Sequence, residues 1–376
     1  MRHRLLIFFA AAITIVPLLV TLTGTGSDGD QREQRRLAGW PDLQLSIAGL
    51  KKMPQQLEAW FNDHFGLRSR FVRFHDVLEY RLLGSSRRVL VGEQGWLFLE
   101  RGIRTDVEMT PIVRDLCGEV PFSDQQLEHW AEALDRNRRE LKKHNIEYVF
   151  MIVPNKHSLY HRFLPRARHC DSTETRFNQL SDRLKKNNAF NLIDLKTPLL
   201  EAAHGEEFVY HKTDTHWNGP GIRLAYAELG NYLNAHQIEW NNLESLGRIK
   251  SNRVHRKAGD LSRMAGLETT VTETMYGYTI HQPVAVELNN PWPNLSKDPY
   301  RQPEQWMLPE STSTTDVVIF HDSFVGRSVK TLFAESFAHS RFVWQGAPTL
   351  NLEILKSQPP TLVIHEMVER NLLQPW

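Results

Sequence analysis

From Asp124 onward the chain alternates amphipathic helical stretches with short apolar runs, and this alternation constrains the fold more than any other feature. The pattern predicts a helix over 124–145, with Ser123 as its N-cap. A short β-rich run over 148–153 follows and ends at Pro154-Asn155. Helix is predicted again over 173–186, strand over 190–195, and helix over 219–235, with Asn218 as cap and Pro220 in the first turn. A less regular, polar and Pro-rich region occupies 239–315. The pattern then resumes with strand 317–321, helix 326–336, strand 342–344, a short helix near 350–356 and a last strand over 362–365. Strands separated by helices predict an α/β fold, a parallel sheet flanked by helices on both faces. In such sheets active sites form at the carboxyl ends of the strands.

The first residues read differently. Met1-Arg2-His3-Arg4 is basic, and an uncharged, mostly apolar run over 5–22 is about long enough to cross a bilayer. With the basic end held in the cytoplasm, everything downstream faces out. The alternative is a cleaved signal peptide, although such apolar regions are usually shorter and no clear small-residue cleavage site follows. In both cases the folded part is exported. The organisation expected is a transmembrane signal anchor over 1–24, a polar Gly-rich linker over 25–48 and a catalytic domain over 49–376. That domain opens with a helical stretch over 49–83, whose apolar face carries Leu57, Trp60, Phe61, Phe65, Phe71, Phe74 and Leu78. A hairpin over 89–99 comes next.

Hydrophobic residues make up 41% and charged residues 24%, the mix of an ordinary folded protein. The formal net charge of +1 and the absence of a basic stripe argue against a nucleic-acid partner. Cys117 and Cys170 are the only cysteines. They pair in an oxidising compartment if geometry permits, or stand as two independent thiols. Without a matching His pattern they make no zinc site, and no metal or cofactor is expected.

Two short stretches carry groups able to do chemistry. Residues 317–324 (VVIFHDSF) run an apolar strand into Asp322-Ser323-Phe324, with Gly326 opening a helix. That places Ser323 at a strand end beside free backbone N–H groups, where a nucleophile needs to be. The plainer reading is a helix cap. Residues 211–218 (HKTDTHWN) put Asp214 and His216 two apart, so an extended loop presents both to one side. A carboxylate that fixes the tautomer of a His base is what a serine nucleophile requires. Here the plainer reading is a capping Asp and an incidental His among 17.

Taken together, the two stretches resemble the SGNH-hydrolase-like domain of the alginate O-acetyltransferase AlgJ/AlgX family. In that family an Asp-x-His pair and a serine after a strand form the triad. Residues 57–68 (LEAWFNDHFGLR) look like its entry helix, and 91–98 (VGEQGWLF) like its hairpin. Val153-Pro154-Asn155-Lys156 resembles its strand-end loop, and 363–370 (VIHEMVER) its last strand and the Glu-Arg that follows. The resemblance runs over about 57–372. It departs at His321, where the family commonly has Gly before Asp or Thr. With no carbohydrate-binding module before Trp376, the chain is more like the AlgJ branch.

The resemblance implies an SGNH-hydrolase-like (flavodoxin-like) fold and catalysis by Ser323, His216 and Asp214. From the residues themselves, the Ser323 N–H is the natural first oxyanion donor and Asn155 a candidate second, the plainer reading being that Asn155 only shapes the turn after Pro154. Trp217, Lys156 and Arg370 are candidate substrate contacts; Trp217 and Trp96 could stack on sugar rings, although large aromatics are more often core. Glu366 and Arg370 also read as a structural ion pair. The implied activity is transfer of acetyl groups onto hydroxyls of an exported polysaccharide through an acetyl-serine. The implied partners are a membrane-bound O-acyltransferase as acetyl donor and the inner membrane, with the catalytic domain in the periplasm. A polysaccharide deacetylase and a non-catalytic scaffold of an export complex are the rival readings.

Overall fold

The computed structural model describes residues 19–20, 38–41, 46–65, 67–83, 86, 88–102, 110–170, 174–187, 190–205 and 207–374. The segment expected to anchor the chain therefore lies almost wholly outside the described residues. Among those described, no helix is long and apolar enough to cross a membrane.

Two helices come first, α1 (Ile47–His64) and α2 (Arg68–Leu83). Their apolar side chains do not form one buried face. Leu57, Phe61, Phe71, Phe74 and Leu78 are exposed, while Val77 and Tyr80 on another side of α2 pack against the domain. The hairpin β1 (Val89–Val91) and β2 (Leu97–Leu99) follows, and then α3 (Ile112–Leu116). Helix α4 (Asp124–Lys142) starts at the expected Ser123. The Ser123 hydroxyl accepts from Gln126 N, and the Gln126 side chain accepts from Ser123 N, a reciprocal capping box.

The central elements are β3 (Glu147–Val153), α5 (Lys156–Tyr160), α6 (Arg176–Lys185), β4 (Leu192–Asp194), α7 (Lys196–Ala203) and α8 (Gly219–Ala235). A two-stranded ribbon of β5 (Ile249–Lys257) and β6 (Glu273–Ile280) brackets α9 (Asp260–Met264). The chain closes with β7 (Val286–Leu288), β8 (Glu304–Met307), β9 (Asp316–His321), α10 (Arg327–Ala334), β10 (His339–Trp344) and β11 (Leu362–Val368).

The main sheet has the order β4-β3-β11-β9-β10-β8-β7. The first five strands are parallel, as the alternation predicts. The expectation of a parallel sheet needs one correction. The irregular region contributes β7 and β8, which extend the sheet antiparallel at one edge. They are short, and their residues are part-exposed or exposed, so no buried periodicity marks them in sequence.

Side chains alternate across the sheet as the pleat demands. Val149, Met151 and Val153 join a core with α7, α8 and α10, whereas Tyr148, Phe150 and Ile152 join one with α4 and α6. Cys117 and Cys170 form a disulfide, which resolves the pairing left open by the sequence. Because it closes a loop of sequence separation 53, chain entropy alone gives it about 4 kcal/mol.

Candidate active site

Strands β3, β9 and β11 are neighbours, and their carboxyl ends carry Asn155, Asp322-Ser323 and Glu369-Arg370. The turn after β9 is organised by Asp322. One carboxylate oxygen accepts from Phe324 N at 2.9 Å; the other accepts from Val368 N and Asn371 Nδ2, both at 2.8 Å. The Asp322 N–H donates to Glu366 Oε2 at 3.1 Å. The turn is thus stitched to the adjacent parallel strand, and Ser323 is presented by a scaffold with little freedom. Gly346 is needed beside it, since a Cβ there would lie 2.7 Å from Asn371 Nδ2 and 3.2 Å from Asp322 Cβ.

The family's Gly is replaced by His321, and the structure shows how the larger residue fits. Its ring is buried near Phe342 and Trp344, and its Nδ1 donates to Asp322 O at 2.7 Å. The imidazole packs towards β10. Burial, then the nearby Lys330 charge, lowers its pKa to about 3, so it stays neutral.

The Asp-x-His loop precedes α8, whose cap Asn218 accepts from Gly221 N as expected. His216 Nδ1 donates to Asp214 Oδ1 at 2.7 Å. Asp214 Oδ1 also accepts from His216 N at 3.1 Å, and Oδ2 from Asp260 N at 2.8 Å. Burial opposes ionisation of Asp214, but the His216 hydrogen bond and charge outweigh it and hold the carboxyl well below its ordinary range. Burial likewise opposes protonation of His216, yet the Asp214 bond and charge, and then the Asp260 charge, raise its pKa. The loop meets the nucleophile turn directly: the His216 ring lies 4.9 Å from that of Phe324, and Trp217 Nε1 donates to Phe324 O at 3.1 Å.

Ser323 Oγ accepts from Arg370 Nη2 at 3.3 Å. His216 Nε2 is buried with no hydrogen-bond partner among the described residues. The structure therefore brings Asp214 onto His216 and brings both loops together, while the serine hydroxyl rests on the arginine. No hydrogen bond engages the Ser323 N–H among the described residues. Asn155 is buried at the end of β3, its own N–H donated to Glu369 Oε2 at 2.6 Å.

Other expected contacts fall elsewhere. Trp217 and Trp96 are both buried and present no face to a sugar. Trp96 stacks against Tyr160 and Phe163 in the core. Lys156 is buried too. Its Nζ donates to the carbonyls of His211, Lys212 and Asp214 at 3.0, 3.1 and 2.7 Å, which uses all three of its protons on the Asp-x-His loop. Burial lowers its pKa to about 8. Glu366 and Arg370 do not pair: the carboxyl is fully buried and bonds Asp322 N instead. Burial, then the Asp322 charge, pushes Glu366 well above its ordinary range.

Three more residues hold the site, and of these only Glu369, in the Glu-Arg pair after the last strand, carried a sequence signal. Glu273 accepts from Lys212 N, Thr213 N and Thr213 Oγ1 at 2.8, 2.6 and 2.6 Å. Glu369 accepts from Asn155 N and Ser158 Oγ. Asp260 accepts from Thr215 N and Thr215 Oγ1. Asp214, His216 and Asp260 gather metal-ligand atom types in one place. However, each of their carboxylate oxygens already accepts an N–H or O–H proton, an arrangement that holds a proton rather than a cation.

Comparison with known proteins adds a family. Residues 89–291 match the profile described as "SGNH hydrolase-like domain, acetyltransferase AlgX". That span contains Asp214, His216 and Asp260, and Ser323 follows it. A Pseudomonas aeruginosa protein named "Probable alginate O-acetylase AlgJ" is 25% identical over 227 residues, 60% of this chain and 53% of that protein. Its namesake in Pseudomonas fluorescens is 26% identical over 174 residues, 46% of this chain and 40% of that protein. The chain spans about half the length of the curated relatives it matches. Bacillus cereus PatB1, solved with a sulfonyl adduct, superposes with a TM-score of 0.54 at 15% identity, over 76% of this chain and 98% of that one. This is a likeness of fold.

Proposed function

Because the chain belongs to the family of AlgX-type SGNH hydrolase-like acetyltransferase domains, we propose that it moves acetyl groups onto polysaccharide hydroxyls through an acetyl-Ser323 intermediate. The observation that carries this reading is His216, oriented by Asp214 at 2.7 Å through Nδ1, with its Nε2 unengaged beside the strand-end turn that holds Ser323.

The chemistry follows from those positions. Ser323 Oγ turns from Arg370 to His216 Nε2, a contact of the kind that tightens in a substrate complex. His216 takes the hydroxyl proton as Oγ attacks the acetyl carbonyl. Asp214 keeps the tautomer correct and balances the imidazolium. The Ser323 N–H and the Arg370 guanidinium face the developing oxyanion, with Asn155 at the neighbouring strand end as a further donor. Collapse releases the donor's leaving group, which takes the proton from His216. A sugar hydroxyl then gives its proton to His216 and attacks the acetyl-serine; the acyl C–Oγ bond breaks, Ser323 Oγ takes the proton back from His216, and the sugar leaves as the acetyl ester.

The setting proposed is the outer face of the inner membrane. The basic N-terminus, the apolar run over 5–22 and the disulfide support it, since disulfides persist in oxidising compartments. An exported polysaccharide is the acceptor, and a membrane-bound O-acyltransferase supplies acetyl groups.

The test compares the purified full chain with Ser323→Ala on an activated acetyl ester, with intact mass read for one added acetyl. Wild type should acquire the acetyl and pass it to added oligosaccharide, and the variant should lose about 10³-fold or more of that turnover. Equal activity in both proteins overturns the reading. Release of acetate alone, with oligosaccharide unmodified, marks a deacetylase.

A further inference from the structure

His216 faces two carboxylates, and the triad uses one. Asp260 is the first residue of α9, a helix of five residues, where a carboxylate would ordinarily serve its own helix. Instead both oxygens turn back onto the Asp-x-His loop. Oδ1 accepts from Thr215 N at 2.7 Å and Oδ2 from Thr215 Oγ1 at 2.5 Å. The backbone runs the opposite way, since Asp260 N donates to Asp214 Oδ2 at 2.8 Å and Gly259 N donates to Thr213 Oγ1 at 3.0 Å. The two segments approach so closely that a Cβ on Gly259 would lie 2.2 Å from Thr213 O.

Proton counting links this clasp to the imidazole. Thr215 has one hydroxyl proton, and Asp260 takes it. The lone pairs of Thr215 Oγ1 are therefore turned towards His216 Nδ1, 3.1 Å away. Asp260 Oδ2 itself lies 3.6 Å from Nδ1. The Nδ1 proton thus sits between Asp214 Oδ1 and a threonine oxygen made more basic by the carboxylate behind it.

We infer that Asp260 is a second carboxylate of the catalytic base, a positioning residue that acts through Thr215 to hold the Nδ1 proton and raise the basicity of His216. This rests on the triad reading above. The charged and titratable groups around the pair are Asp214 and His211 on the same loop, Lys156 from α5, Glu273 from β6 and Arg370 after β11. Burial and the Arg370 charge pull the imidazole pKa down, and the charges of Asp214 and Asp260 together offset them. The need for two carboxylates follows from that balance.

The test reads His216 directly. The full chain is labelled with 15N-histidine, and the His216 signal is assigned by its loss in His216→Gln. Its pKa is then measured in wild type, Asp260→Asn, Asp260→Glu and Thr215→Val. Asp260→Asn should lower the His216 pKa by about one unit and move the acid limb of kcat/KM by the same amount. Asp260→Glu should restore part of both, and Thr215→Val should shift the Nδ1 proton resonance. A purely structural Asp260 would lower activity at every pH and leave the pKa in place. An unmoved pKa in Asp260→Asn overturns the inference. If that variant does not fold, an unmoved Nδ1 resonance in Thr215→Val overturns it as well. A moved pKa in a protein whose turnover ignores Ser323→Ala would keep the second carboxylate and reject the serine mechanism, so the two failures are distinguishable.

Discussion

The two halves of the candidate site are held in opposite ways. The Ser323 turn is fixed from inside the sheet: Asp322 bonds Phe324, Val368 and Asn371, all on β9, on β11 or just past their ends. The Asp-x-His loop lies outside the main sheet, with one backbone bond from the hairpin, Leu97 N to Lys212 O. It hangs from Lys156, Glu273 and Asp260, which come from a short helix, a ribbon strand and a second short helix far away in sequence. A scaffold held by the sheet inherits the stability of the core. A loop held by side chains depends on the ionisation of each tether.

Disturbing each half in turn tests that contrast, and the largest effect belongs to the turn. Asp322→Ala leaves two buried N–H donors and the Asn371 amide without an acceptor. It should cost about 2–4 kcal/mol in urea unfolding and about 10³-fold in acetyl transfer. A full loss of activity with unchanged stability would break the contrast.

Lys156→Met should do the reverse. Methionine removes a buried charge and fills similar space, so stability should stay within about 1 kcal/mol while the carbonyls of His211 and Asp214 lose their donor, Lys212 O keeping the Leu97 N–H, and turnover falls about 10²-fold. The pH behaviour sharpens this. The folded Lys156 pKa of about 8 lies below the ordinary amine value. The unfolded chain therefore binds that proton more tightly, and wild-type stability should rise as pH climbs from about 8 towards 10. Wild-type turnover should meanwhile fall through about pH 8 as the loop loses a donor. Both trends should vanish in Lys156→Met.

Glu366→Gln is the smallest disturbance. Burial holds the carboxyl well above its ordinary range and favours its neutral form, whose shape glutamine copies. Its folded pKa is raised above the unfolded value, so wild type loses stability as pH rises beyond the ordinary carboxyl range. The variant should match wild type near pH 4.5 and melt about 2–4 °C higher at pH 8. Turnover should hardly change, and a large loss would assign Glu366 to the chemistry.

These differences explain what could be read from the sequence. The five parallel strands were legible because burial on both faces leaves continuous apolar runs, as in 148–153 and 317–321. The Ser123 and Asn218 caps were legible because capping is local. Ser323, Asp214 and His216 stood out because a strand end and a two-residue spacing are also local signals. Lys156 stands beside Asn155 at a strand end, where a lysine reads as a substrate contact, and its three carbonyl partners are visible only in the structure. Trp217 and Trp96 looked like stacking surfaces for the same reason, since exposure is not written in a residue's type.

The sequence by itself determined the α/β alternation, the position of Ser323 at a strand end and the Asp-x-His pair, because each depends on neighbours within a few residues. Only the tertiary structure decided that two antiparallel strands extend the sheet, that Cys117 meets Cys170 and that Ser323 rests on Arg370. It also decided that Asp260, Glu273 and Lys156 converge on one loop. Each of these is a contact between residues whose partners are chosen by chain packing, and hydrogen bonds across tens of residues leave no periodicity for a sequence to show.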